Sequence, residues 1–264
     1  MAKKLGFALG SGGSRGVAHI GFLMAMEEAG IVPDYIAGTS MGSVVGACYA
    51  KGYTPHQMAD IVKRLKFSDI FDLSLTPVKN AAILRSEKMN KKLKQYIGAV
   101  KFEQLKIPFR CVATDVVNGT IKVFGEDLND KVHSAVAASS TIPSVFKPIE
   151  IHGMPYVDGG VLCRVPTQTV RDMGADIVVA VDVLGKIRPC ENKFNMFTLM
   201  TRIFDIADCC ITEHTKKKER ADIYIEPDLG DMSSYKFKDI DKAIEIGYQT
   251  GKAFARKIIV KLNH

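Results

Sequence analysis

The stretch Tyr35-Ile36-Ala37-Gly38-Thr39-Ser40-Met41-Gly42-Ser43-Val44-Val45 decides how the chain is read. An apolar run ends in Gly-Thr-Ser-Met-Gly, and a segment suited to a helix follows at once. A strand that turns this sharply into a helix, with serine between two glycines, has the setting of a nucleophile elbow. Gly38 and Gly42 let the backbone turn tightly and approach its neighbours, while Ser40 sits on a strained tip with its hydroxyl accessible. At average usage the pattern GxSxG arises by chance in roughly one chain in ten of this length, so the strand-turn-helix setting carries most of the inference.

Before the elbow, Lys4-Leu5-Gly6-Phe7-Ala8-Leu9 reads as a short strand running into Gly10-Ser11-Gly12-Gly13-Ser14-Arg15-Gly16, and residues 17–30 read as a buried helix. A glycine-rich turn between strand and helix exposes backbone N–H groups at the positive end of the helix, a ready site for negative charge. A P-loop would need Gly-Lys-Ser/Thr where Arg15-Gly16-Val17 stands, and the dinucleotide frame lacks its three glycines in register. An oxyanion hole needs only N–H groups aimed at a developing negative oxygen, and a second glycine-rich strand end beside Ser40 would supply them.

After the elbow, Thr54-Pro55-His56-Gln57 is a capping box with proline at the first helical position, opening a helix over 55–66, and a further helix is expected over 86–97. The irregular connection 67–80 carries Ile70, Phe71, Leu73 and Leu75, which pack beneath it or form a cap over the site. Residues 109–113 form a strand ending at Thr114-Asp115, and Asn118-Gly119 marks a hairpin leading to a strand at 121–124. A short helix follows over 132–140, then a strand at 154–157 closed by Asp158-Gly159-Gly160, a helix over 167–173, and a β-branched run to Val181 typical of a buried parallel strand.

Strands alternating with helices predict a three-layer α/β/α sandwich with a largely parallel central sheet. The core is expected over 5–182, with 183–264 a helical extension packed on the same domain. In that extension a helix over 197–217 places Met200, Ile203, Phe204, Ala207 and Ile211 at helical spacing. Such a stripe predicts a core or helix-helix contact, and the neighbouring Lys216-Lys217-Lys218 keeps a membrane-facing role as the alternative. A short strand at 223–225 and a closing helix over 241–257 complete the reading.

The chain has 264 residues, 47% of them hydrophobic and 25% charged, the composition of an ordinary globular protein of one large domain. No stretch approaches the length of a membrane span, and no cleavable leader is evident, so the expected location is cytoplasmic with peripheral contact at a membrane. The six cysteines include no CxxC and read as reduced structural thiols, several of them small buried hydrophobes. A net charge of +7 suits a nucleic-acid binder or a protein working at an anionic lipid surface. Acids interspersed among the lysines argue against nucleic acid.

Four segments in order resemble the bacterial patatin-like phospholipases: Ser11-Gly12-Gly13-Ser14-Arg15-Gly16, Gly38-Thr39-Ser40-Met41-Gly42, Ala138-Ser139-Ser140-Thr141-Ile142-Pro143 and Val157-Asp158-Gly159-Gly160-Val161. The resemblance covers about residues 5–182. It implies a patatin-like fold and a serine lipid acyl hydrolase with Ser40 as nucleophile and Asp158 as base. It also implies an oxyanion loop of Gly12, Gly13, Ser14 and Arg15, with Arg15 bracing it, a lipid or acyl-ester substrate, and no cofactor or metal. Two residues depart from the family pattern: Ser11 where a glycine usually begins the oxyanion motif, and Cys163 where an asparagine often follows the aspartate turn. A carboxylate of ordinary pKa near ~3.9 is a weak base at neutral pH, so Asp158 is expected in a partly desolvated site.

A Ser-Asp-His triad is the chemical rival, but only His214 and His264 follow Asp158, one in a charged helix tail and the other terminal. His19 reads as a core histidine, Asp115 and Asp182 as structural acids, and Ser14 and Ser43 as turn or cap residues. The functional rival is a lipid-sensing protein that keeps the pocket and has little turnover.

Overall fold

The computed structural model describes residues 3–65, 86–143, 145–190, 193–234 and 239–263. The connection carrying Ile70, Phe71, Leu73 and Leu75 lies outside the described residues, as does His264.

Among the described residues, eight strands form one sheet: β1 (Leu5–Leu9), β2 (Tyr35–Thr39), β3 (Phe109–Asp115), β4 (Thr120–Phe124), β5 (Ile149–Ile151), β6 (Met154–Asp158), β7 (Ile177–Val181) and β8 (Ile223–Ile225). Strands β3, β2, β1, β7 and β8 run parallel in that order, and β4, β5 and β6 add an antiparallel end. The expected largely parallel sheet is therefore present. Residues 183–264 add more than helices, since β8 extends the sheet from β7 with Tyr224 opposite Ala180.

Successive side chains of a strand point to opposite faces, and the core divides accordingly. Phe7 and Leu9 of β1 pack into the larger cluster, with α1 (Ala18–Glu28), α2 (Met41–Lys51), α3 (Pro55–Arg64), α4 (Glu87–Ile97) and α5 (Val132–Ser139). Ala8 between them faces a smaller cluster with Val170 of α6 (Thr167–Asp172) and Val178 of β7. The capping box of α3 is formed as the sequence predicts, Thr54 Oγ1 accepting the Gln57 N–H and Gln57 Oε1 accepting that of Thr54. The closing helix α8 (Ile240–Asn263) lies along α1 so closely that a Cβ on Gly247 would stand 2.0 Å from the Ala18 carbonyl oxygen.

One element corrects the sequence reading. In α7 (Met196–Lys218), none of Met200, Ile203, Phe204, Ala207 and Ile211 is buried, and Ile203 and Ala207 are exposed. Among the described side chains of this helix, Thr201 and Thr212 are the buried ones. Its inner face also carries Asp208, which accepts from Arg164 Nε at 2.7 Å, and Arg164 in turn reaches Asp182 at 3.3 Å. The helix is held by a buried charge cluster, and its apolar side faces outward.

Candidate active site

The register of β3 brings the two key residues together. Cys111 and Val112 pair with both β2 and β4, while Ala113, Thr114 and Asp115 pair with both β4 and β6. A residue has one neighbour on each edge of its strand, so β4 fills one edge of β3, and β2 and β6 share the other. β2 runs parallel to β3 and β6 antiparallel, so their C-terminal ends face each other. Thr39 stands opposite Val112 and Asp158 opposite Ala113, on consecutive rungs.

Ser40 follows Thr39 with φ 53° and ψ −124°, a positive-φ conformation that side-chain-bearing residues rarely adopt, as in a strained elbow. The turn works because glycines flank it. A Cβ on Gly42 would lie 2.2 Å from the Leu9 carbonyl oxygen, and one on Gly38 would lie 2.5 Å from that of Gly42. Ser43 caps the turn by donating its hydroxyl to the Ser40 carbonyl at 2.6 Å.

Ser40 Oγ donates to Asp158 Oδ2 at 2.5 Å, and both residues are buried. Gly160 N–H donates to the other carboxylate oxygen, Oδ1, at 2.8 Å and so fixes its orientation. Burial pushes the Asp158 carboxyl up to about 7, against the lowering effect of its bonds from Ser40 and Gly160. Ionised, this carboxylate is a far better base than an exposed aspartate, and its acid form is a correspondingly available proton donor at neutral pH.

The segment at 138–143 ties both partners into place. Ser40 N–H donates to Ser139 Oγ at 2.9 Å, and Asp158 N–H donates to the Thr141 carbonyl at 2.8 Å. Sequence reasoning saw this segment only as part of a resemblance and gave Ser139 no role. A small hydroxyl residue in a helix end is common, and only the pairing across the fold reveals its use.

The glycine loop packs beside this pair. Ser11 lies at the aspartate turn, its Oγ 3.2 Å from where a Cβ of Gly160 would stand, and its N–H donates to the Arg164 carbonyl at 2.9 Å. Serine at this place is thus accommodated in a buried position. Gly13 has φ +53°, and a Cβ there would meet the Ser234 carbonyl oxygen at 2.1 Å. The four residues expected to form the oxyanion loop are not equivalent. Ser14 N–H is taken by the Ser234 carbonyl at 2.8 Å and Arg15 N–H by that of Gly12 at 3.1 Å. Those of Gly12 and Gly13 have no backbone acceptor among the described residues. Arg15 is partly buried beside Arg188, with its Nε unpaired among the described residues, and burial lowers its pKa.

Other sequence candidates fall elsewhere. His214 is exposed on α7. His19 is buried and pairs Nε2 with the Gly10 carbonyl at 2.8 Å, while burial lowers its pKa to about 4 and keeps the ring neutral. Nε2 is then the donor. Asp115 accepts the Val117 and Asn118 N–H groups of the hairpin, and Asp182 joins the Arg164 cluster with Tyr224. Cys163 is a buried thiol pushed up to about 12. Arg164 and Asp208, which anchor α7 beside this site, were not found from the sequence. Their side chains meet across 44 positions and no local pattern announces it.

The family model of patatin-like phospholipases matches residues 7–171, and the chain belongs to that family. An uncharacterized NTE family protein of Mycobacterium tuberculosis (strain H37Rv) is 38% identical over 182 residues, which are 69% of this chain and 49% of that protein. Lysophospholipase NTE1 of Debaryomyces hansenii is 27% identical over 289 residues, covering 98% of this chain and 18% of that protein. The chain thus spans about half the length of the first of these relatives and less than a fifth of the second. Among solved structures, VipD from Legionella pneumophila matches with a TM-score of 0.62 at 14% identity, over 97% of this chain and 67% of that one. The type III effector ExoU matches with 0.51 at 12% identity, over 97% of this chain and 53% of that one. At such identities the likeness is one of fold.

Proposed function

We propose that this chain is a serine lipid acyl hydrolase, of the phospholipase A, lysophospholipase or carboxylesterase type, acting through a Ser40–Asp158 dyad. The observation that carries the reading is the 2.5 Å bond from Ser40 Oγ to the buried Asp158 carboxylate. Membership of the patatin-like phospholipases and the name of the Debaryomyces relative support a lipid ester as substrate.

In the proposed reaction Asp158 takes the hydroxyl proton as Ser40 Oγ attacks the ester carbonyl carbon. The N–H groups of Gly12 and Gly13 stabilise the tetrahedral oxyanion. Collapse breaks the bond to the alcohol oxygen, which leaves with the proton held by Asp158. Water then attacks the acyl-enzyme, giving its proton to Asp158, and the carboxylic acid departs as Ser40 recovers its hydrogen. The elbow strain favours this role, since it holds Oγ against the carboxylate without any rotation of the backbone.

Labelling with a fluorophosphonate probe, with mass mapping of the adduct, tests the proposal. The adduct is expected on Ser40, absent in Ser40→Ala and much reduced in Asp158→Asn. A folded wild-type protein that takes no label, yet binds fatty acid or lysolipid equally well as Ser40→Ala, would instead make this a lipid-sensing protein.

A further inference from the structure

The apolar side of α7 is turned outward over its first half. Phe194, Met196, Leu199, Ile203 and Ile206 are all exposed, Met196 to 77% and Ile203 to 50%. From Met196 onward they recur every three or four residues, the spacing of one helix face. The opposite face is committed to the protein through Thr201, Asp208 and Thr212. A helix with polar groups inward and large apolar groups outward has been built for something beyond its own core.

The place of this face in the fold is specific. α7 has 23 residues and is ~35 Å long, whereas the 5 residues of β7 span only ~17 Å. Asp208 is level with the C-terminal end of β7, because Arg164 bridges it to Asp182, the residue that follows that strand. Further along, Lys216 lies over the Tyr224 ring at 4.0 Å, so the helix runs back beside the sheet from Asp208 onward. The turns before Asp208, which carry the exposed apolar residues, therefore stand beyond the strand ends. β7, β1 and β2 are parallel, so this is the end at which Ser40 sits. The β3–β4 hairpin projects at the same end, with Val117 at its tip exposed to 65%.

We infer that the outward face of α7 docks the protein on an anionic lipid surface. Charge complementarity points to this occupant. Lys186 and Lys193 are exposed in the segment leading into α7, and Arg202 lies on the helix itself, near Arg188, whose carbonyl it reaches at 2.7 Å. Arg188 is held by Asp228 and Asp231, and Asp205 is the acid on these turns. Lipid phosphates meet the lysines and Arg202 with opposite sign while the apolar side chains enter the acyl boundary. Docking here would set the bilayer beside the dyad: α7 packs on the 159–161 turn, and Arg164, which holds Asp208, also accepts the Ser11 N–H.

The inference rests on the proposed lipid chemistry for its purpose, but its test does not require turnover. Ser40→Ala protein is sedimented with phosphatidylcholine vesicles, with and without phosphatidylglycerol, and compared with the same protein carrying Leu199→Glu and Ile203→Glu. Binding is expected to need phosphatidylglycerol and to weaken about tenfold or more in the double variant. With Ser40 restored, the double variant is expected to hydrolyse a monodisperse soluble ester at the wild-type rate. Vesicle binding that is absent, indifferent to phosphatidylglycerol or unchanged by the two glutamates would overturn the assignment. So would a wild-type dimer that the double variant converts to monomer, since a second copy would then own the face.

Discussion

Ser139 holds Ser40 by its backbone: the hydroxyl of the one accepts the N–H of the other at 2.9 Å, at the base of the strained elbow. Removing the acceptor leaves a buried N–H without a partner, a loss of about 1–3 kcal/mol. Ser139→Ala is therefore expected to unfold at lower urea and to lose fluorophosphonate reactivity more than tenfold, with Ser139→Thr retaining most of both. Equal labelling rates in Ser139→Ala and wild type would show that the elbow holds itself.

The pH dependence follows from Asp158. Its carboxyl is pushed up to about 7 by burial, so the base form is lost as pH falls through that value. For a soluble ester, kcat/KM is expected to rise with one ionisation near pH 7 and then level. Asp158→Asn should lower it by about 10²–10⁴-fold, the usual contribution of a positioned base. A wild-type profile flat from acid to alkaline conditions would sink the assignment.

Stability and pH give an independent check, because His19 and Asp158 pull in opposite directions. The His19 ring is depressed to about 4 in the fold against 6.5 in the free side chain, so its stabilisation is present above pH 6.5 and lost as pH falls towards 4. Asp158 is raised from 3.8 to about 7, so its contribution is fully present below 3.8 and is lost as pH rises through 7. In wild type the two largely offset each other across that window. Relative to wild type, Asp158→Asn should become less stable on acidification from pH 7 to 4, and His19→Gln more stable. Parallel curves of Tm against pH for all three proteins would contradict both shifts.

The Arg164 cluster should dominate the stability of the α7 side. Arg164 is almost wholly buried with Asp182 and Asp208 around it, and removal of the cation leaves two buried carboxylates facing each other. Arg164→Met is expected to lose about 3–5 kcal/mol at neutral pH in urea unfolding. The loss should shrink at pH 5, where Asp208, whose carboxyl burial pushes up to about 6, can take up a proton, and Asp208→Leu added to Arg164→Met should recover part of it. A loss independent of pH would mean that packing, and not charge, is at stake.

Much of the local architecture was legible in the sequence because local signals set it. The β-branched run ending at Val181, the capping box at Thr54 and the glycines around Ser40 each act within a few residues of themselves, and each element lies where they put it. What escaped is made by partners far apart in the chain. No spacing reveals that β6 shares an edge of β3 with β2, that Ser139 meets Ser40, or that Asp208 finds Arg164. The α7 stripe was misread for the same reason. Periodicity shows that a helix has two sides, but which side turns inward was decided by a cation 44 positions earlier.

The meeting of β2 and β6 end to end on β3 also sets an order of events during synthesis. The elbow is complete within the first fifty residues, and its carboxylate partner arrives 118 positions later. A chain that stops short of Met154 therefore carries Ser40 without Asp158, the acceptor of its hydroxyl. Under the proposed chemistry, a copy cut short before that strand lacks its base and is expected to take up no fluorophosphonate label.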